Sequence, residues 1–327
     1  MLRYIAKRLL MMIPVLLGIA LVVQILIDIT PGDPARMMLG VNATEEKVQE
    51  LREELGLNDP LPVRYGRFLW QVLHGDFGTS FVTKRTVMDE VATRFPYTLK
   101  LVAISMLMAL AVGIPVGVLA ATNQNTWVDN LLMFLSLFCV SMPAFWFSLL
   151  LIQEFAVERQ WFPLSGIEGF RSWVLPSLGL AVGFTATIAR QTRSNMLEVI
   201  RQDHITTARA KGAPETKVIF RHALKNALTP VIMVVGSMFG IMLGGALISE
   251  VIFSIPGLGQ YTVQALVNRD YPVIQGTVLF MSIVFSIVML LVDITFALVD
   301  PRIRSQYVRS SRKKMQRREE KACGTES

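Results

Sequence analysis

Thr207-Ala208-Arg209-Ala210-Lys211-Gly212, followed nine residues later by His222-Ala223-Leu224-Lys225-Asn226-Ala227, is a basic stretch set between apolar runs of a 327-residue chain. Apolar residues make up 52% of that chain and its mean hydropathy is +0.48, well above a soluble domain, so the bilayer is its main solvent. A chain that interrupts its membrane spans for a folded basic segment presents that segment to something in the adjoining water. The pattern predicts a short helix on either side of Gly212-Ala213-Pro214. In the second, Phe220, Leu224, Ala227 and Leu228 share an apolar face, and Lys217, Arg221 and Lys225 recur as a cationic stripe at i, i+4 and i+8. A solvated amphipathic loop accounts for the stripe. The Gly-Pro break makes of it a compact elbow suited to a cleft in a soluble partner.

Working outward, a span needs about 20 mostly apolar residues to cross roughly 30 Å of hydrocarbon. Six segments qualify, near 9–29, 98–121, 131–154, 173–190, 230–249 and 276–299, which predicts an all-α membrane protein of six transmembrane helices. Six crossings put both termini on one side. Lys and Arg in short loops mark the cytoplasmic face. They cluster in 1–8 (Arg3, Lys7, Arg8), in the 191–229 segment and in the 300–327 tail, and those regions belong inside. In 30–97 the acids balance or exceed the bases, which places that segment outside as a small subdomain. The first apolar run lacks a small-x-small cleavage site and is longer than the 7–15 residues of a cleavable signal core, so it reads as a retained span. Cys139 and Cys323 fall too far apart in this topology for a disulfide.

Within 30–97, Pro31-Gly32-Asp33-Pro34 ends the first helix. Asn42 and Glu45 predict a capping box ahead of a short helix stopped by Gly56 and Pro60, and an aromatic segment, 65–73, leads into Gly75-Asp76-Phe77-Gly78. Small residues four apart in Gly113-Ile114-Pro115-Val116-Gly117 predict close helix approach. Gly236, Gly240 and Gly244 leave one face of span five nearly bare. That face serves packing within the subunit, a substrate passage or a seam with a partner subunit. Four acids stand in or near spans: Asp28, Glu154 and Glu250 near outer ends, and Asp293 alone well inside. An acid in lipid is costly, so Asp293 reads as a helix–helix hydrogen-bonding group or a polar group on the substrate path.

The stretch from Asp203 to Gly212 and on from His222 to Pro230 closely resembles the cytoplasmic EAA-type loop of the B-type permeases of ABC importers for dipeptides, oligopeptides and nickel. Pro31-Gly32-Asp33-Pro34, Gly75-Asp76-Phe77-Gly78, Gly113 to Gly117, Pro256-Gly257-Leu258-Gly259, Arg269-Asp270-Tyr271-Pro272-Val273 and Asp300-Pro301-Arg302-Ile303-Arg304 look like that family's recurrent segments, in order. Thr206 replaces the loop's leading Glu and Lys225 its closing Pro, both in keeping with this branch. The resemblance implies a type I importer permease, working with a second homologous permease, two ATPase subunits and an extracytoplasmic substrate-binding protein. It implies a coupling segment carried by Thr207, Ala208, Arg209, Ala210, Lys211, Gly212, Pro214, Arg221 and His222. ATP and Mg would be bound by the partner ATPases, with no cofactor in this chain. Peptides are the implied substrate, with nickel chelates or glutathione-like compounds as the alternative.

The chain reads as non-enzymatic. No G-x-x-x-x-G-K-[ST] occurs, so ATP hydrolysis is left to a partner. Asp76-Phe77-Gly78 matches a kinase motif in letters only, and Leu164-Ser165-Gly166 falls in an external loop. His74, His204 and His222 have no metal-ligand spacing, and no nucleophile with base and orienting acid is visible. The net charge of +7 follows the positive-inside pattern and calls for no nucleic acid. A stand-alone secondary carrier would instead show inverted repeats and midplane charges, which the sequence lacks.

Overall fold

The first apolar run forms α1 (Leu2–Ile29), and the chain turns at Gly32 before Asp33, whose carboxylate accepts the Ala35 amide to cap α2 (Pro34–Leu39). Asp33 also takes both Arg52 donors, tying α2 to α3 (Glu45–Glu54). Glu45 is the first residue of α3 rather than its third, Thr44 at the cap position makes no side-chain cap bond, and the Glu45 side chain pairs with Arg36, so Glu45 does not play the part expected of it in a capping box. Gly56, at φ +63°, stops that helix. Pro60 precedes α4 (Leu61–Leu73), the aromatic segment, whose Phe68 packs on Ala20 and Leu279.

These features come from a computed structural model that describes residues 2–30, 32–40, 43–167 and 169–299. Pro31, Asn42, Cys323 and the basic tail from 300, with its Asp-Pro-Arg-Ile-Arg segment, lie outside them.

Span two, α5 (Val87–Thr122), starts eleven residues before its apolar run because Asp89 and Glu90 favour its first turn, and it passes through Pro96 unbroken. The expected straight third span is absent. In its place α6 (Trp127–Ser141) and α7 (Ala144–Glu158) meet at 99°. Pro143 is the reason, since it holds Met142 extended at φ −77°, ψ 130°. Each leg has 15 residues, too few to cross alone, so beside the five long apolar helices the pair counts as a span only when its two legs are taken as one.

Next come α8 (Arg171–Ile200), α9 (Asp203–Ala210) and α10 (Glu215–Phe253). The second elbow helix therefore runs on into span five instead of standing apart. A short α11 (Leu258–Asn268) and α12 (Tyr271–Val299) complete the described chain.

Small residues decide which helices meet. A Cβ on Gly113 would stand 2.8 Å from the Thr185 carbonyl oxygen, and Gly117 faces Ala189 as closely, so α5 and α8 lie backbone to backbone. The main core fills the space between α5, α7, α8 and α10, with Leu101, Met106, Trp173, Ile188 and Met242 buried. α1 and α12 flank it. The alternating directions leave two polar ends. Ile27, Val87, Leu258 and Tyr271 gather at one, beside the sequence motifs, while Val118, Met196, Ile205 and Val218 gather at the other, beside the elbow.

Candidate functional site

The elbow is built by a helix C-cap. Gly212 N–H donates to the Arg209 carbonyl at 2.9 Å and Ala213 N–H to the Ala208 carbonyl at 3.3 Å, the paired bonds that close a Schellman turn. Gly212 sits at φ +78°, where L side chains are strained by about 1–2 kcal/mol. A Cβ there meets nothing within 4 Å, so within this chain the position needs glycine for its backbone and not for space. Pro214, at φ −62°, then starts α10. Arg209 clamps the turn from outside, its Nη2 and Nε donating to the two Glu215 carboxylate oxygens at 2.6 and 3.1 Å. That pairing pushes the guanidinium above its usual range and keeps it cationic.

One side chain seats the elbow on the bundle. Ile205 is fully buried against Val118 and Ala121 of α5, Met196 and Val199 of α8, and Val218, Ala223 and Ala227 of α10. Such burial stabilises by about 2–3 kcal/mol, a large share for an eight-residue helix. Asn226 adds a polar link, donating to His204 Nε2 at 3.2 Å and to the His222 carbonyl at 2.9 Å. Thr207, Arg209, Ala210, Lys211, Gly212, Pro214 and Arg221 are exposed, while Ala208 and His222 are half-buried.

The apolar face of the second elbow helix differs from expectation. Phe220 is 62% exposed, and Val218, Ala223 and Ala227 are the buried set. Residues 218–224 are wound as π-helix, whose wider turn replaces the i, i+4 spacing with i, i+5 and rotates Phe220 outward. Lys217, Arg221 and Lys225 remain exposed as a cationic stripe. Nearby, Asp129 is 1% exposed and accepts both Arg193 donors at 2.6 Å and the Asn125 amide at 3.0 Å, fastening α6 to α8.

The opposite end gathers motifs that are far apart in sequence. Glu250, fully buried in α10, accepts from the Thr98 hydroxyl and from the Gln260 amide at 3.0 Å, while the Leu258 amide donates to Thr98 Oγ1 at 2.9 Å. The Pro256-Gly257-Leu258-Gly259 turn thus wraps this carboxylate at the start of α11, and a Cβ on Gly257 would strike it. Asp270 accepts from the Ser80 hydroxyl, the Phe81 amide at 2.9 Å and the Val82 amide at 3.3 Å. Its neighbour Arg269 lies against Gly32, and Gly78 against Pro272. The Gly32, Gly78 and Arg269–Pro272 motifs thus meet around Asp270, and the Pro256–Gly259 turn closes on Glu250 beside them, with Leu258 and Tyr271 in one apolar cluster.

This arrangement, a long-helix bundle with a basic elbow at one end and interlocked motifs at the other, recurs in known proteins. Residues 113–305 match the family described as binding-protein-dependent transport system inner membrane component, and residues 1–102 match the N-terminal part of such components. The chain belongs to this permease family. It is 43% identical over 304 residues to the glutathione transport system permease protein GsiC of Salmonella paratyphi A, covering 93% of this chain and 99% of that one. GsiC of Escherichia coli K12 is 41% identical over the same coverage. Among solved structures, an inward facing form of the MetNI methionine ABC transporter aligns with TM-score 0.58 at 20% identity, over 65% of this chain and 97% of that one. That likeness fixes the fold as the type I importer permease fold.

The permease is therefore an ABC importer subunit of the inner membrane, multi-pass, from a transport family and not an enzyme family. Proteins of its kind work with an ATPase and a substrate-binding protein. The three span-five glycines divide. Gly236 faces Val292, and a Cβ on Gly240 would stand 2.8 Å from the Phe285 ring, so these two seat α12 on α10. Gly244 is exposed in open space.

Asp293 pairs with Arg8 at 3.1 Å, joining α12 to α1. It lies about 33 Å along α12 from Tyr271 at 1.5 Å per residue, a full hydrocarbon thickness of roughly 30 Å. Its partner Arg8 is the first residue of the apolar stretch of α1, so the pair stands toward the elbow-side ends of α1 and α12. The sequence reading missed Asp129, and it took Glu250 only for an acid near a span end. The available signal for Glu250 was its place just ahead of a turn whose two glycines bare backbone N–H groups.

Proposed function

We propose that this permease forms half of the translocation pathway of an ATP-driven importer for short peptides of the glutathione class. The observation that carries the substrate is the 43% identity to GsiC across 99% of that relative's length. Glutathione is itself a tripeptide with one γ linkage, so the relatives' name and the peptide reading describe neighbouring chemistry. Nickel chelates have no comparable support.

In this reading the chain pairs with a second homologous permease and two ATPase subunits, which bind ATP and Mg, and an extracytoplasmic binding protein delivers substrate. The elbow lies in the cytoplasm with both termini, in keeping with its Lys and Arg. Arg209, Lys211 and the Lys217–Arg221–Lys225 stripe reach into the ATPase cleft. When the ATPases close, α9 moves, and the Ile205 cluster passes the motion to α5, α8 and α10 together, since close-packed contacts shift as units and do not deform. Substrate then meets an outward-open pair, and hydrolysis resets it.

The test is uptake of labelled glutathione, of di- and tripeptides, and of nickel with and without chelator, in cells carrying or lacking the gene. Gene-dependent glutathione uptake is expected, competed by unlabelled glutathione. Nickel uptake alone, or α-linked peptide uptake that glutathione does not compete, overturns the substrate.

A further inference from the structure

We propose that α4 lies in the lipid leaflet at the motif end of the bundle, with Val63, Trp70 and Leu73 against acyl chains. The segment after the first span was expected to sit outside the membrane, yet α4 packs alongside α1. Its Tyr65 hydroxyl donates to the Leu17 carbonyl at 2.9 Å, and its Arg64 pairs with Asp28 at 2.7 Å. Those two residues of α1 stand about 16 Å apart along the helix at 1.5 Å per residue. The α4 backbone therefore runs between their levels, alongside the membrane-spanning part of α1 and not beyond its end at Ile29. Phe68 confirms the depth from the other side, packed on Ala20 and on Leu279 of α12.

The side chains of α4 fall into three sectors. Tyr65, Phe68, Leu69 and Val72 face α1 and α12. Arg64, Arg67, Gln71 and His74 make a polar strip, with Arg67 paired to Asp59. The third sector is apolar again. Val63, Trp70 and Leu73 recur at i, i+7 and i+10 and are 50%, 67% and 80% exposed. A helix resting on a protein in water has one apolar face facing that protein, whereas here the apolar arc continues past the packed face, from Leu69 through Leu73 to Trp70 and Val63, leaving Arg64, Arg67, Gln71 and His74 as a single polar strip, so it needs a second apolar neighbour. One neighbour is this chain. At this depth the other is lipid, and an indole at a leaflet edge is where tryptophan is enriched. The inference requires only that the chain spans a bilayer and is independent of what it transports.

The test uses the full transporter in phosphatidylethanolamine–phosphatidylglycerol vesicles, with Cys139→Ser and Cys323→Ser as background. Nitroxide labels at Trp70→Cys and Leu73→Cys are relaxed by oxygen, which concentrates in lipid, and by a water-soluble nickel chelate, with Glu54→Cys on exposed α3 as the water reference. Val63→Cys reports on the same stripe should either variant fail to assemble. Oxygen is expected to exceed the chelate several-fold at the α4 sites, with the opposite order at Glu54. Chelate-dominated relaxation at the α4 sites would place the stripe in water and overturn the proposal. Weak relaxation by both reagents would show that a partner protein covers it, which also overturns it.

Discussion

The two ends of this permease treat their motif residues in opposite ways. At the motif end the chain consumes its own signature. Glu250 and Asp270 accept on both carboxylate oxygens from donors of this chain, a Cβ on Gly257 would strike the Glu250 carboxylate, and Gly32 and Gly78 hold φ of +128° and +87°, where glycine is favoured. At the elbow the chain uses little of its signature. Ile205 and the φ of Gly212 are spent internally, while Thr207, Arg209, Ala210 and Lys211 face outward. A recurrent residue already satisfied within its own fold is explained by folding. One left exposed and paired only across an exposed turn is free to meet a partner, and this contrast supports the proposed ATPase contact at the elbow.

The contrast can be broken most severely at Glu250. Glu250→Ala leaves the Thr98 hydroxyl and the Gln260 amide buried without acceptors, at about 1–3 kcal/mol for each group. We expect loss of the assembled transporter from membranes, read by immunoblot and by melting of any purified complex, with Glu250→Gln milder because one acceptor survives. Normal abundance and melting in the alanine variant would mean that the motif end is not held as described.

A smaller effect sharpens the elbow. Gly212→Ala places a side chain at φ +78° and should cost about 1–2 kcal/mol, with normal membrane abundance but reduced uptake and reduced substrate-stimulated ATP hydrolysis. Gly212→Asn, which tolerates the left-handed region, separates two reasons for the glycine. Recovery of transport by asparagine shows that backbone conformation is the whole requirement. Failure of asparagine alongside alanine shows that a partner surface presses on the position.

The least effect on stability belongs to Arg209→Gln, since an exposed ion pair contributes little. Melting should stay unchanged while the rate of uptake falls. A melting shift as large as that of Glu250→Ala would erase the distinction between the two ends.

The span count, the basic elbow and the family were legible because they depend on local pattern: apolar length, Lys and Arg placement, and ordered short motifs. The 99° break of span three was present in Met142-Pro143 but hidden by continuous hydropathy, which records composition and not direction. Phe220 was misplaced because periodicity assumes 3.6 residues per turn, and the π-helical stretch does not obey it. Asp129 was passed over because its burial depends on Arg193, which is distant in sequence.

The sequence by itself determined that the chain is helical, spans a membrane and carries a permease elbow, because each of these follows from residues within a few turns of one another. Only the tertiary structure decided which carboxylates are latches, which glycines are contacts and that α4 lies beside α1. Those outcomes depend on which side chains from separate helices come to share one low-dielectric space.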